Sequence, residues 1–127
     1  MKEKINNLEV IHSASLPYAD DGFYATEKVK RAMDILPSKK AKETQLHPLV
    51  KVHAETNKKC LFINPVYTLA IHDYSEEASS LLLSYLYEHT TQEKYVYRHK
   101  WSENMLLMWD NRTVVHQADG GYDGYER

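Results

Sequence analysis

The chain predicts an α+β fold, mainly β, in which an antiparallel sheet carries two flanking helices. Three observations carry this reading. Short apolar runs with strand-like patterning recur along the chain, at residues 7–15, 49–53, 59–64, 95–101, 105–109 and 113–118. Two longer segments, 26–36 and 75–86, instead place apolar residues at helical spacing. Turns and long insertions, not regular crossover helices, separate the strand runs, which disfavours a parallel doubly wound sheet.

Taken in order, "NLEVIHSAS" (7–15) reads as the first strand, and "LPYADDG" as a turn punctuated by Pro17 and Gly22. Thr26 can cap a helix with Glu27 in its first turn, where the helix dipole favours an anion. Val29, Ala32, Met33 and Leu36 would form that helix's apolar face, and Pro37 would stop it. "PSKKAKETQ" (37–45) is polar and charged, the best linker in the chain. "LVKVH" and "KCLFIN" read as strands joined by "AETNK", whose turn formers predict a hairpin. Ser75, followed by Glu76 and Glu77, starts the second helix, with Ala78, Leu81, Leu82, Tyr85 and Leu86 as its apolar stripe. "YVYRHKW" alternates like a half-buried strand, "MLLMW" suits a core strand, and "TVVHQA" a last short one. The glycine-rich tail "DGGYDGYER" reads as loop.

Composition excludes several function classes. At 127 residues the chain is at most one domain. A net charge of −2 gives no electrostatic ground for binding nucleic acid or an anionic membrane. No apolar run approaches the roughly 18 residues that would suggest a membrane span. The first residues lack the apolar core of a signal peptide. Cys60 is the sole cysteine, so no disulfide framework exists and a reducing, cytoplasmic setting is expected.

The residues able to do chemistry are few. His53-x-Glu55 places an imidazole and a carboxylate two apart, on one face if the strand continues, but Glu55 opens a turn and should point to solvent. Neighbours His72 and Asp73 would point to opposite strand faces and suit a turn before Ser75 better than a chelate. His12-Ser13-Ala14 lacks a carboxylate two residues on, and Cys60 lies in an apolar run as a buried thiol would. Asp110, Asn111 and Arg112 read as a local hydrogen-bonded turn supporting whatever His116 does. By pattern alone His116 is a strand-end histidine and Arg127 a terminal residue in solvent.

"WDNRTVVHQA" (109–118) resembles the taurine dioxygenase-like (TauD/TfdA) family of Fe(II)/2-oxoglutarate-dependent dioxygenases, whose distal metal histidine follows Trp-Asp-Asn-Arg as His116 does here. "LHPLVKVHAETNKKCLFIN" resembles the family's His-Pro strand, its His-x-x-Thr turn and the strand ending in Asn. "SEEASSLLLSYLYEHTTQEKYVYRHKW" resembles its helix and following strand, and "LPYADDGFYATEKVKRAMDILP" an earlier Leu-Pro segment. The resemblance implies a double-stranded β-helix, or jelly roll, with flanking helices. It also implies iron held by two histidines and a carboxylate, with positions left open for 2-oxoglutarate and O₂. His116 matches the distal histidine ligand. Arg127 matches the arginine that takes the 2-oxoglutarate carboxylate, where a planar fork fits two oxygens.

The chain departs from the family pattern elsewhere. The family's His-x-Asp pair, a threonine that helps bind 2-oxoglutarate, a second arginine and a final strand have no counterpart. Residues 37–46 are much shorter than the family's lid insert. The expectation is therefore a single partial domain over residues 1–127. Its function is oxidative hydroxylation of a small organic substrate, sulfonate-like and anionic, when the iron site is complete. One alternative is a non-catalytic remnant that self-associates through open sheet edges. A third is a module in which His53, His72 and His116 meet around another metal.

Overall fold

The computed structural model describes residues 2–27 and 34–118. Its centre is strand β1 (Glu9–Ser13), which pairs antiparallel on one side with β2 (Thr44–Pro48) and on the other with β5 (Thr68–Ile71). Val10 sits opposite both His47 and Ile71 and is fully buried. A register shift between Ile11 and His12 puts His12 opposite Thr68. A second, two-stranded sheet is the hairpin of β3 (Val50–Val52) and β4 (Lys59–Leu61). The hairpin leaves the three-stranded sheet through Leu49, whose N–H donates to Leu8 and whose carbonyl accepts from Phe62.

Three single-turn helices, α1 (Lys2–Ile5), α2 (Ser15–Tyr18) and α3 (Phe23–Thr26), precede the long helix α4 (Glu76–Thr90). The core is Ile5, Val10, Leu49, Ile63, Ile71, Leu83 and Leu86, closed by Leu8, Val50, Leu61, Leu82 and Tyr87. It lies where α4 crosses β5 and the first turns of the chain. Gly22 is required by a close approach. A Cβ there would lie 2.8 Å from the Ser15 carbonyl oxygen and 2.9 Å from the Ala19 nitrogen, so only glycine lets α3 start against α2.

The first strand, the hairpin and the Ser75-capped helix form where the sequence predicts them. The Ser75 hydroxyl accepts from the Ala78 N–H at 3.3 Å. The helix face differs. Ser79, Leu83 and Leu86 are buried, with Leu82 and Tyr87 half-buried beside them, whereas Leu81 is 67 % exposed and Tyr85 48 %. The run Leu81-Leu82-Leu83 admits two rotations of the helix. The Ser79 hydroxyl selects one, because it accepts the otherwise orphaned Ile71 N–H at 2.8 Å.

Other expectations need correction. The helix expected from Thr26 to Leu36 falls largely on residues 28–33, which lie outside the described residues. Its predicted cap, Thr26, instead ends α3, its hydroxyl donating to the Gly22 and Phe23 carbonyls, and Glu27 turns extended. Leu36 is 84 % exposed. The expected linker is not loose. Ser38 caps a 3₁₀ turn, Lys39–Lys42, that is tied back to Tyr18, Asp21 and Ser13, and Thr44 and Gln45 already belong to β2.

The strands expected over 95–101, 105–109 and 113–118 are absent. A 3₁₀ turn (Glu93–Tyr95) and irregular chain stand in their place, with Tyr97, Leu106 and Met108 more than four-fifths exposed. Alternation tells which side chains share a face, but a strand also needs a neighbour for its N–H and C=O groups. No described strand pairs with these segments.

Because Leu83 is buried and Leu81 is not, Leu83→Ala should cost about 2–4 kcal/mol, whereas Leu81→Ala should change stability by less than about 0.5 kcal/mol. Urea unfolding followed by circular dichroism reads both, and equal losses would return the helix to the predicted face.

Candidate functional site

The turn after Trp109 is built by one side chain. The Asp110 carboxylate accepts the Arg112 backbone N–H at 2.9 Å, while its backbone carbonyl accepts the N–H groups of Thr113 and Val114. Short polar side chains favour such turns because they satisfy donors that a neighbouring strand would otherwise take. Trp109 Nε1–H donates to Asn111 Oδ1 at 2.8 Å, closing the turn from the other side. His116 follows, exposed, with its ring 4.6 Å from the Trp109 ring, centroid to centroid.

This turn docks on the β3–β4 hairpin, and the contact gathers residues that looked unrelated in the sequence. His53, directly after β3, is about nine-tenths buried. Its Nδ1 faces the Thr56 backbone N–H at 3.3 Å and the Thr56 hydroxyl at 3.0 Å. Its Nε2 faces Asp110 Oδ2 at 3.0 Å and Glu55 Oε2 at 3.1 Å. An N–H pointing at Nδ1 makes that nitrogen the acceptor, which leaves the proton on Nε2, aimed at the carboxylates.

Arg112 then forks across both acids. Its Nη2 lies 2.7 Å from Glu55 Oε2 and 2.6 Å from Asp110 Oδ2, with Nε on Asp110 Oδ1 and Nη1 on Glu55 Oε1. The hydrogen bonds from Arg112, and then that from His53, hold the Asp110 carboxyl well below the usual carboxylate range. The Arg112 fork also lowers the pKa of Glu55. Both acids thus stay ionised with a guanidinium between them.

His53, Glu55 and Asp110 are the only group of three such residues, among those described, whose potential ligand atoms lie within 4.8 Å of one another. His116 is not part of it. The described residues therefore do not gather His116 into any group of three potential ligands. By themselves they do not make up the triad. Arg127 lies outside the described residues.

The remaining candidates separate. His72 Nδ1 is 3.3 Å from the Asp73 carboxylate in the turn before Ser75, where Asp73 takes a φ of 59°, as the spacing predicts. His53, His72 and His116 do not meet. The His12 ring stacks on Phe62, bonds the Thr68 hydroxyl at 2.9 Å and borders an open cleft of about 330 Å³. Burial first, then nearby His47 and Lys51, disfavour its charged form. Ser13 Oγ donates to the Ala41 carbonyl, and Ala14 offers no ligand atom where a metal pair would need a carboxylate. Cys60 is half-buried rather than buried, its thiol 3.4 Å from the Lys51 carbonyl oxygen.

The sequence showed the His53-x-Glu55 spacing and the Asp110–Arg112 turn separately. The expectation that Glu55 faces solvent was half right. Its side chain is 61 % exposed, yet both its oxygens are held by Arg112.

A model of the family described as taurine catabolism dioxygenase TauD, TfdA matches residues 1–127. The chain is 41 % identical over 71 residues to an alpha-ketoglutarate-dependent 2,4-dichlorophenoxyacetate dioxygenase of Cupriavidus pinatubonensis, a match covering 56 % of this chain and 24 % of the relative. It is 31 % identical over 119 residues to an alpha-ketoglutarate-dependent sulfonate dioxygenase of Saccharomyces cerevisiae, covering 93 % of this chain and 26 % of that one. An alkylsulfatase of Acinetobacter baylyi is 30 % identical over 128 residues, covering 100 % of this chain and 39 % of its own length. The chain thus spans between about a quarter and two-fifths of these relatives.

Both acids have lowered folded-state values, so their contribution to stability is present above the unfolded carboxylate range, roughly pH 4, and fades as pH falls through the folded values. Replacing Arg112→Gln should raise the Asp110 midpoint toward that ordinary range in a carboxyl ¹³C titration. An unmoved midpoint would remove Arg112 as the main cause.

Proposed function

The chain belongs to the TauD/TfdA family, and from that premise we propose that it forms part of an Fe(II)- and 2-oxoglutarate-dependent dioxygenase acting on a small organic anion. The observation that carries the reading is the match to the family over the whole chain, with His116 standing after Trp-Asp-Asn-Arg on a turn pinned to the hairpin. His116 serves as one iron ligand, and Arg127 takes the 2-oxoglutarate carboxylate. The remaining two ligands come from polypeptide beyond residues 1–127. That assignment is supported by the small share of the relatives' length that the chain spans and by the fact that His116 joins no group of three potential ligands among the described residues.

On this reading residues 1–127 are one portion of a single domain. Their antiparallel strands are part of a double-stranded β-helix, and the enzyme works in the cytoplasm. No helix among the described residues is long and apolar enough to cross a membrane. The substrate class follows from what the relatives' names share: a sulfonate for one, aryloxyalkanoates for others. All are small and anionic, so a sulfonate or carboxylate substrate, oxidised with O₂ and 2-oxoglutarate, is the class proposed for this protein.

The test takes the chain together with the coding sequence that adjoins it. Anaerobic addition of Fe(II) and 2-oxoglutarate should give a visible metal-to-ligand charge-transfer band, lost in His116→Ala and weakened in Arg127→Gln through poorer 2-oxoglutarate affinity. A band of full strength in His116→Ala would sink the ligand assignment.

One observation favours a second reading, a non-catalytic chain that acts by association. β2 and β5 are edge strands, and Leu106 and Met108 are both 82 % exposed. Sedimentation velocity on the 127-residue chain distinguishes the two. Concentration-dependent self-association that ignores iron and 2-oxoglutarate would favour the second reading, and a monomer at all concentrations would dismiss it.

A further inference from the structure

We infer that His53 is a positioning residue for His116, holding through Asp110 the turn from which the His116 ring is presented. The inference rests on the proposed ligand role of His116 for its functional meaning, but its geometry stands on its own.

Three side-chain links join the β3–β4 hairpin to the 109–116 segment: His53 to Asp110 and Glu55 to Arg112, each spanning 57 residues, and the Cys60 thiol to the Arg112 carbonyl at a long 3.7 Å. They are not equivalent. The Glu55 and Arg112 side chains are 61 % and 56 % exposed, and an ion pair in water contributes little. The His53 ring is only 9 % exposed. Its Nε2–H is withdrawn from water and faces both Asp110 and Glu55, and leaving it with neither would be costly. The His53 ring is itself fixed at Nδ1 by Thr56, so its proton can point only at the acids. Asp110 in turn organises everything C-terminal to it. One of its oxygens takes the Arg112 N–H, its carbonyl takes those of Thr113 and Val114, and the Trp109 ring beside it lies against His116 at a tilt of 53°. A displacement of Asp110 therefore moves both the turn and the ring that His116 rests on.

The same three donors could suggest a metal site. The arrangement of Arg112 argues against one. Its Nη2 sits on the same two oxygens that face His53 Nε2, so a divalent cation would have to approach a fixed guanidinium. The Nε2 lone pair is also occupied, because Nδ1 is the acceptor.

The experiment is imidazole-selective ¹H–¹⁵N NMR on the 127-residue chain. The Trp109 ring current shifts the His116 ring protons, so their resonances report whether His116 is held in place. In His53→Ala that shift should be lost while the methyl resonances of Val10 and Leu83 stay put, and His53→Gln, whose amide can donate in place of Nε2–H, should restore most of it. Asp110→Asn, at a partly exposed position, keeps an oxygen for the Arg112 N–H but not a second acceptor for His53. It should reproduce the loss even if His53→Ala fails to fold. A His116 shift that survives in Asp110→Asn overturns the inference. So does saturable movement of the His53 resonances on adding Zn(II), which would make the cluster a metal site. None of these readouts involves iron, so failure of the ligand assignment, read from the charge-transfer band, is separate from failure of this one.

Discussion

The two-sided pairing of Glu9–Ser13 is the constraint on which the rest of the fold depends. A strand with neighbours on both edges has its backbone groups satisfied, so its side chains can be withdrawn fully from water. Val10 is the result, and it seeds the cluster that Leu49, Ile71, Leu83 and Leu86 complete. β5 then offers α4 a surface, and the orphaned Ile71 N–H gives Ser79 something to bond, which sets the rotation of the helix. On the opposite edge, β2 runs through Leu49 into the hairpin, so the hairpin's position is inherited from the same central strand.

The parts of this fold that were legible in the sequence are those decided locally. Ser75 with two glutamates marks a helix start whatever surrounds it, and "AETNK" between apolar runs marks a hairpin. β2 and β5 were not legible. Thr44 and Gln45 read as linker, and Thr68–Ile71 is a four-residue run hidden between Pro65 and the His72 turn. Both are strands because β1 needs partners, which is a tertiary fact. The reverse error arises at 95–118, where alternation is clear and pairing is missing.

The site divides in the same way. "WDNR" followed by His116 is a contiguous signal, and with the other resembling segments it pointed to the family whose model matches the chain. The contact between His53 and Asp110 joins residues far apart in the sequence, of which the first read as the end of a strand and the second as a turn residue. Only burial distinguishes them. An imidazole 9 % exposed must have a use for both nitrogens, whereas the exposed Glu55 and Arg112 need not. The sequence could nominate His53 as chemically interesting but could not say what it faced.

The length of chain between the two halves of that contact has a kinetic consequence. Closing a flexible loop of this size costs roughly 3–4 kcal/mol of chain entropy, more than neighbours in a hairpin have to overcome. The hairpin closes over the six residues 53–58. In order of formation the hairpin therefore comes early, and the seam between it and the 109–116 segment closes after α4 has drawn the intervening chain together. What closes last tends to open first. The stretch bearing His116 would then breathe as a unit, with the sheet beneath it still intact.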